Sequence, residues 1–99
     1  MSFEKPPASS PFMEGFIKAN APAESGVYIL FSTPGFTWEV IYVGEADNVR
    51  QSLLDHLNGD NACINERSPT SFICEKVAAE GRRMRRDELI GEYNPTCNH

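Results

Sequence analysis

The sequence has no long apolar stretch. Its longest unbroken run, Val27–Phe31, is five residues, against the roughly 20 that a membrane-spanning helix needs. It also lacks the apolar segment of a secretory leader, since Met1–Asn20 carries three prolines and no hydrophobic stretch. These absences predict a soluble chain in the cytoplasm with no membrane partner. Basic residues are scarce as well. Nine lysines and arginines stand against 14 acids, a formal net charge of −5, and a protein that grips duplex DNA by neutralising many phosphates is usually basic. This balance speaks against a strong non-specific DNA binder; nucleic acid stays open as a weakly held partner, and a protein partner stays open beside it. Cysteine is sparse and odd in number. Cys63, Cys74 and Cys97 make no Cys-x-x-Cys, and adding His56 and His99 yields no zinc pattern. Reduced, buried or half-buried thiols are expected, with no metal site and no cofactor.

What the chain does contain is an ordinary globular composition: 99 residues, 40% hydrophobic and 23% charged. That suits one domain with a small core and excludes disorder, collagen and coiled coil. Residues 1–25 are rich in Pro, Ala and Ser and read as an N-terminal arm. A short helix is expected after Ser10, with Pro11 at its first position and Phe12, Met13, Phe16 and Ile17 as its apolar stripe. Gly26–Phe31 reads as a strand buried on both faces, Thr33-Pro34-Gly35 as a turn, and Trp38–Val43 as the return strand, ended by Gly44. Asn48-x-x-Gln51 has the form of a capping box, so a helix is predicted from Val49, with Val49, Leu53, Leu54 and Leu57 facing the core and Asn58-Gly59 as its stop. Asp60–Pro69 is polar and reads as a loop. Ser71–Val77 is a third strand, and a second long helix is predicted over Ala79–Glu92, stopped by Asn94-Pro95. Residues 26–99 thus read as one domain with the order β-β-α-β-α. Its predicted core includes Leu30, Ile41, Leu53, Leu57, Phe72 and Ile90.

Charge is unevenly spread. Residues 1–75 carry a net of −6 and residues 76–99 a net of +1. Arg82, Arg83, Arg85 and Arg86 fall within five positions, which reads either as a solvated helix face or as a set of phosphate contacts.

Two triplets stand on the paired strands, Gly26-Val27-Tyr28 and Tyr42-Val43-Gly44. A capped helix follows the second, then a strand, then a helix ending in Tyr93-Asn94-Pro95-Thr96-Cys97-Asn98. Over about Gly26–Asn98 the chain resembles the GIY-YIG nuclease domain. The resemblance implies an α+β fold, a three-stranded antiparallel sheet flanked by helices, with a shallow cleft along the hairpin in which Tyr28 helps activate water, Tyr42 lines the site, His56 assists and Asn98 orients it. It also implies an arginine on the first helix, meeting the phosphate, and a glutamate on the later helix, holding one divalent cation.

Those last two positions depart from the family. The arginine position, ten residues past the second-triplet tyrosine, is Ser52, and Arg50 sits ~200° around the helix from it. The glutamate position, three residues before Leu89-Ile90, is Arg86, while Asp87 and Glu88 are rotated ~100° and ~200° away. An arginine repels a cation and offers no ligand. Glu45, just after the second triplet, stands where the family often has a basic or amide residue, so the cleft reads as exchanged in charge, with a Glu45–Arg86 pair within ~4 Å or bridged by one water. The function expected is a non-catalytic GIY-YIG-fold module that binds nucleic acid or protein and needs no cofactor. The alternative is an active endonuclease, dependent on Mg²⁺, with Glu45 or Glu88 relocated to the ion and Arg50 or Arg86 to the phosphate.

Overall fold

A computed structural model describes residues 9–33 and 38–98. Its elements run β1 (Ser10–Pro11), α1 (Glu14–Asn20), β2 (Gly26–Ser32), β3 (Glu39–Ala46), α2 (Val49–Leu57), α3 (Ala62–Arg67), β4 (Ser71–Lys76) and α4 (Arg82–Tyr93). The sheet is antiparallel throughout, in the order β1-β4-β2-β3. It has four strands, not the expected three. The addition is β1, two residues at the edge of β4, where Pro11 opposes Ser71. An edge is where proline is tolerated, since no ladder donor is lost there. Pro11 therefore does not open a helix, and α1 begins after Met13.

Central strand β2 alternates across the sheet. Val27, Ile29 and Phe31 face one layer, with Trp38, Val40, Val43 and Leu89. Tyr28 and Leu30 face the other, with Ile17, Ala21, Val49, Leu53, Ile64 and Phe72. Helix α4 covers the first layer; α1, α2 and α3 cover the second. The register of β2 against β3 slips between Leu30 and Phe31, leaving Ile41 as an extra residue on β3. That bulge lets Val40 and Val43 share a face although they are three apart, because one added residue inverts the two-residue alternation. Strand β3 also continues past Gly44 to Ala46.

Three other expectations change. Asp60–Pro69 contains α3: the Asn61 carboxamide accepts a hydrogen bond from the Ile64 N–H at 3.1 Å, and Ile64 is buried. A polar segment can be helical when one cap and one anchoring side chain hold it. Leu57 is not in the core, being 36% exposed. Val49, Leu53 and His56 are the buried residues of α2, a 4-then-3 spacing that turns Leu57 off the buried stripe. Helix α4 starts at Arg82 rather than Ala79, with Gly81 at its N-cap. The Thr33-Pro34-Gly35 turn lies largely outside the described residues.

The cysteines are not all reduced. Cys63 and Cys97 form a disulfide with Cα atoms 5.8 Å apart, and Cys74 remains free and half-buried. Spacing alone does not reveal such a pair, because α3 and the segment after α4 meet only in the folded chain. No described helix is long and apolar enough to cross a membrane.

Candidate functional site

The two triplet glycines are required by close approach. A Cβ at Gly44 would lie within 3.0 Å of Cζ, Oη and Cε2 of Tyr28, so the phenol ring crosses the strand where a side chain is missing. A Cβ at Gly26 would meet the Glu75 backbone carbonyl within 3.0 Å. Glycine is thus what lets the sheet hold Tyr28 flat against its neighbour strand.

Helix α2 supplies the partners. Its first turn is fixed by Asn48, whose side chain accepts from the Gln51 N–H at 3.0 Å. The Gln51 amide turns instead to Asp55, also at 3.0 Å, so only half of the capping box forms. Ser52 and His56, four apart, project from one face onto Tyr28. The Tyr28 hydroxyl lies 2.7 Å from Ser52 Oγ and 2.7 Å from His56 Nε2, and His56 Nδ1 lies 2.7 Å from Asp60 Oδ1. For a neutral imidazole, Asp60 fixes the proton on Nδ1. Tyr28 then donates to Nε2, and Ser52 donates to the phenolic oxygen. Tyr42 completes the group, its ring 6.2 Å from Tyr28 and 5.3 Å from His56.

Burial holds this phenol protonated. Tyr28 is 2% exposed, and desolvation pushes its pKa well above the usual tyrosine value, partly opposed by the Ser52 hydrogen bond. Tyr42 is raised in the same direction, again mainly by burial, with Arg86 pulling it back.

Beside Tyr42 an open cavity of about 430 Å³ is lined by Tyr42, Asn61, Arg86, Ile90, Cys97 and Asn98. Asn98 is held against β3, its Oδ1 accepting from the Val43 N–H at 2.7 Å and its Nδ2 donating to the Val43 carbonyl at 2.8 Å. The residues singled out by sequence therefore gather in two adjoining groups joined through Tyr42. Tyr28, Ser52 and His56 are enclosed, while Arg86 and Asn98 face the cavity. Asp60 and Asn61 were missed. A His-x-x-x-Asp spacing with an adjoining cap residue was the available signal.

The arginines are unequally committed. Arg82 pairs with Glu45 and with Asp47 (2.6 Å), and also donates to Ser25 at 3.1 Å. Arg85 forms a fork on Glu75 at 2.8 and 3.1 Å. Arg86 reaches Asp87 at 3.0 Å and stands 4.0 Å from Glu45. Arg83 is 83% exposed. Glu45 and Arg86 do approach as expected, but the main partner of Glu45 is Arg82, one turn nearer the start of α4. Of the residues named for the alternative catalytic set, Glu45 and Arg86 approach each other, whereas Arg50 and Glu88 are placed elsewhere. Arg50 donates to the Ala21 carbonyl and lines a different cavity, and Glu88 lies 3.5 Å from Arg85.

A divalent cation would need hard oxygen donors, carboxylates above all. The Tyr42 cavity is lined by one guanidinium, two carboxamides and no carboxylate, and the nearby Glu45 is taken by Arg82. Among the described residues no group of three His, Cys, Asp or Glu side chains could hold a metal. The residues present do not fit the ion.

Solved structures share this fold. The GIY-YIG N-terminal endonuclease domain of UvrC from Thermotoga maritima, bound to its catalytic magnesium, matches with a TM-score of 0.70 at 24% identity, over 88% of this chain and 100% of that one. Two point mutants of that domain, each bound to its catalytic divalent cation, match at TM-scores of 0.70 and 0.67 with 22% and 25% identity, over 88% of this chain and 99% of theirs. No family model and no curated protein matches the sequence. The chain has a GIY-YIG-like fold, α+β, with its antiparallel sheet between helices.

Proposed function

We propose that this chain is a non-catalytic binding module on a GIY-YIG nuclease fold, whose cleft receives the phosphate backbone of a nucleic acid without cleaving it. One observation carries the reading: Arg86 lines the Tyr42 cavity, and it is the residue to which the resemblance assigns the family's metal-binding glutamate. A guanidinium there favours a phosphate oxygen over a cation. Tyr28 supports the same reading, being enclosed and held protonated, so it is a poor activator of water. Loss of a metal carboxylate and of the charge-stabilising arginine each removes several kcal/mol from a phosphoryl-transfer transition state. Arg83, exposed on the same helix, is the outer contact. Arg82 and Arg85 stay in their carboxylate pairs and position α4.

With two phosphate contacts the affinity is weak, and its logarithm falls with the logarithm of salt at a slope of about −2. The test uses the full chain. A labelled oligonucleotide should bind at low salt and lose affinity in Arg86→Ala, and supercoiled plasmid with Mg²⁺ or Mn²⁺ should stay intact. Nicking that disappears in Tyr28→Phe would establish the active endonuclease instead. Salt-independent binding, or none, would move the reading to a protein partner.

A further inference from the structure

We propose that Cys63 and Cys97 form a thiol–disulfide exchange site that regulates the cleft, holding it shaped when oxidised and loosening it when a dithiol reduces the pair. The proposal rests on the Tyr42 cavity being the binding site, and it adds the control of that site. Cys97 lines this cavity, and so do its neighbour Asn98 and Asn61, which caps the helix carrying Cys63. The bond therefore ties together two walls of one cavity from positions 34 apart in sequence.

Both walls have few other anchors. The segment bearing Cys97 is held by the buried Pro95 and, along the outer edge of β3, by four hydrogen bonds. Thr96 N–H donates to the Val40 carbonyl at 3.3 Å and Cys97 N–H to the Ile41 carbonyl at 2.7 Å; the other two are the Asn98 bonds to Val43. Helix α3 has six residues and one buried side chain, Ile64, too short to persist without tertiary support. Reduction thus acts on the parts of the fold with least to replace the bond, and the sheet beneath stays paired.

The exchange is confined to this pair. Cys74, on β4, has its thiol pushed up to about 12 by burial, so it supplies almost no thiolate to attack the bond. A thiolate of an external dithiol attacks Cys97 Sγ, the sulfur at the cavity. A mixed disulfide forms, and Cys63 leaves as a thiolate that takes up a proton. The second thiol of the reductant then displaces Cys97, so the reductant ends as a disulfide and the pair has gained two electrons and two protons.

Hydrogen exchange on the full chain, oxidised with glutathione disulfide or reduced with dithiothreitol, tests this without any ligand. Alkylation and mass measurement fix the redox state. Reduction should speed exchange of the Val43 and Cys97 amides roughly tenfold or more while Ile29 and Ile73 stay within about twofold, as local opening requires. A Cys63→Ser/Cys97→Ser variant should behave as the reduced chain in both buffers. Equal exchange in both states, uniform acceleration through β2 and β4, or thiols that stay alkylatable after oxidation would each overturn the proposal. Because exchange is read on the free protein, failure to bind an oligonucleotide would count against the cleft's ligand and leave the redox control of its walls standing.

Discussion

Gly44→Ala probes the contact that gives the hairpin its pattern. In an ordinary strand this change would help slightly, since alanine restricts the unfolded chain by about 0.4–1 kcal/mol. Here the new methyl would enter the space of the Tyr28 ring, within 3.0 Å of three of its atoms. The ring cannot retreat cheaply, because it is buried and its hydroxyl holds Ser52 and His56 at 2.7 Å each. Overpacking costs roughly 1–3 kcal/mol, and weakening two buried hydrogen bonds adds about 1 kcal/mol apiece. The net expectation is a loss of about 3 kcal/mol, which in a domain this size lowers the melting midpoint by roughly 12–24 °C. Urea denaturation of the parent, Gly44→Ala, Tyr28→Leu and the double variant measures it. Leucine lacks the three clashing atoms, so the alanine penalty should shrink below about 1 kcal/mol in that background, a coupling of about 2 kcal/mol. Equal penalties in both backgrounds, or a single variant as stable as the parent, would refute the reasoning.

Three further outcomes follow from the same geometry. Tyr28 has its pKa pushed above the unfolded value of about 10. Its stabilising share is therefore complete below that pH and is lost as pH rises through the folded value. Absorbance at 295 nm should show Tyr28 ionising last, together with alkaline unfolding. Asn98→Ala removes two bonds to the Val43 backbone and should cost about 1–2 kcal/mol, and a neutral result by denaturation would contradict its placement. Cys74 should resist iodoacetamide at pH 8 in the folded chain and react on unfolding, because burial suppresses its thiolate.

The hairpin and its site were legible because their constraints are local or strongly patterned. The continuous run Val27–Phe31 had to be a central strand, and Asn48 marked the start of α2 by its capping chemistry. Ser52 and His56 fell on one helix face by spacing alone. Other features are decided by the folded chain. Helix α3 escaped notice because its apolar content is little more than Ile64, and β1 because two residues carry no period. Leu57 and His56 compete for the same turn of α2, and the hydrogen bonds of His56 to Tyr28 and Asp60 settle which turns inward. The expected Glu45–Arg86 pair formed only at 4.0 Å, since Arg82, one turn earlier on α4, reaches the carboxylate first. The disulfide was hidden for a similar reason, its two cysteines being brought together by elements distant in sequence.

The charge of the Tyr42 cavity is the centre of this account, and it can be titrated directly. Amide and Arg Nε–H resonances of the full chain are followed as inorganic phosphate is added, and in a separate sample as Mn²⁺ is added. Phosphate should shift the Arg86 Nε–H and the amides of Tyr42 and Asn61, with the shifts lost in Arg86→Glu. Mn²⁺ should leave these resonances sharp in the parent chain. Paramagnetic broadening centred on Tyr42 and Asn98 in the parent, with no response to phosphate, would contradict the account.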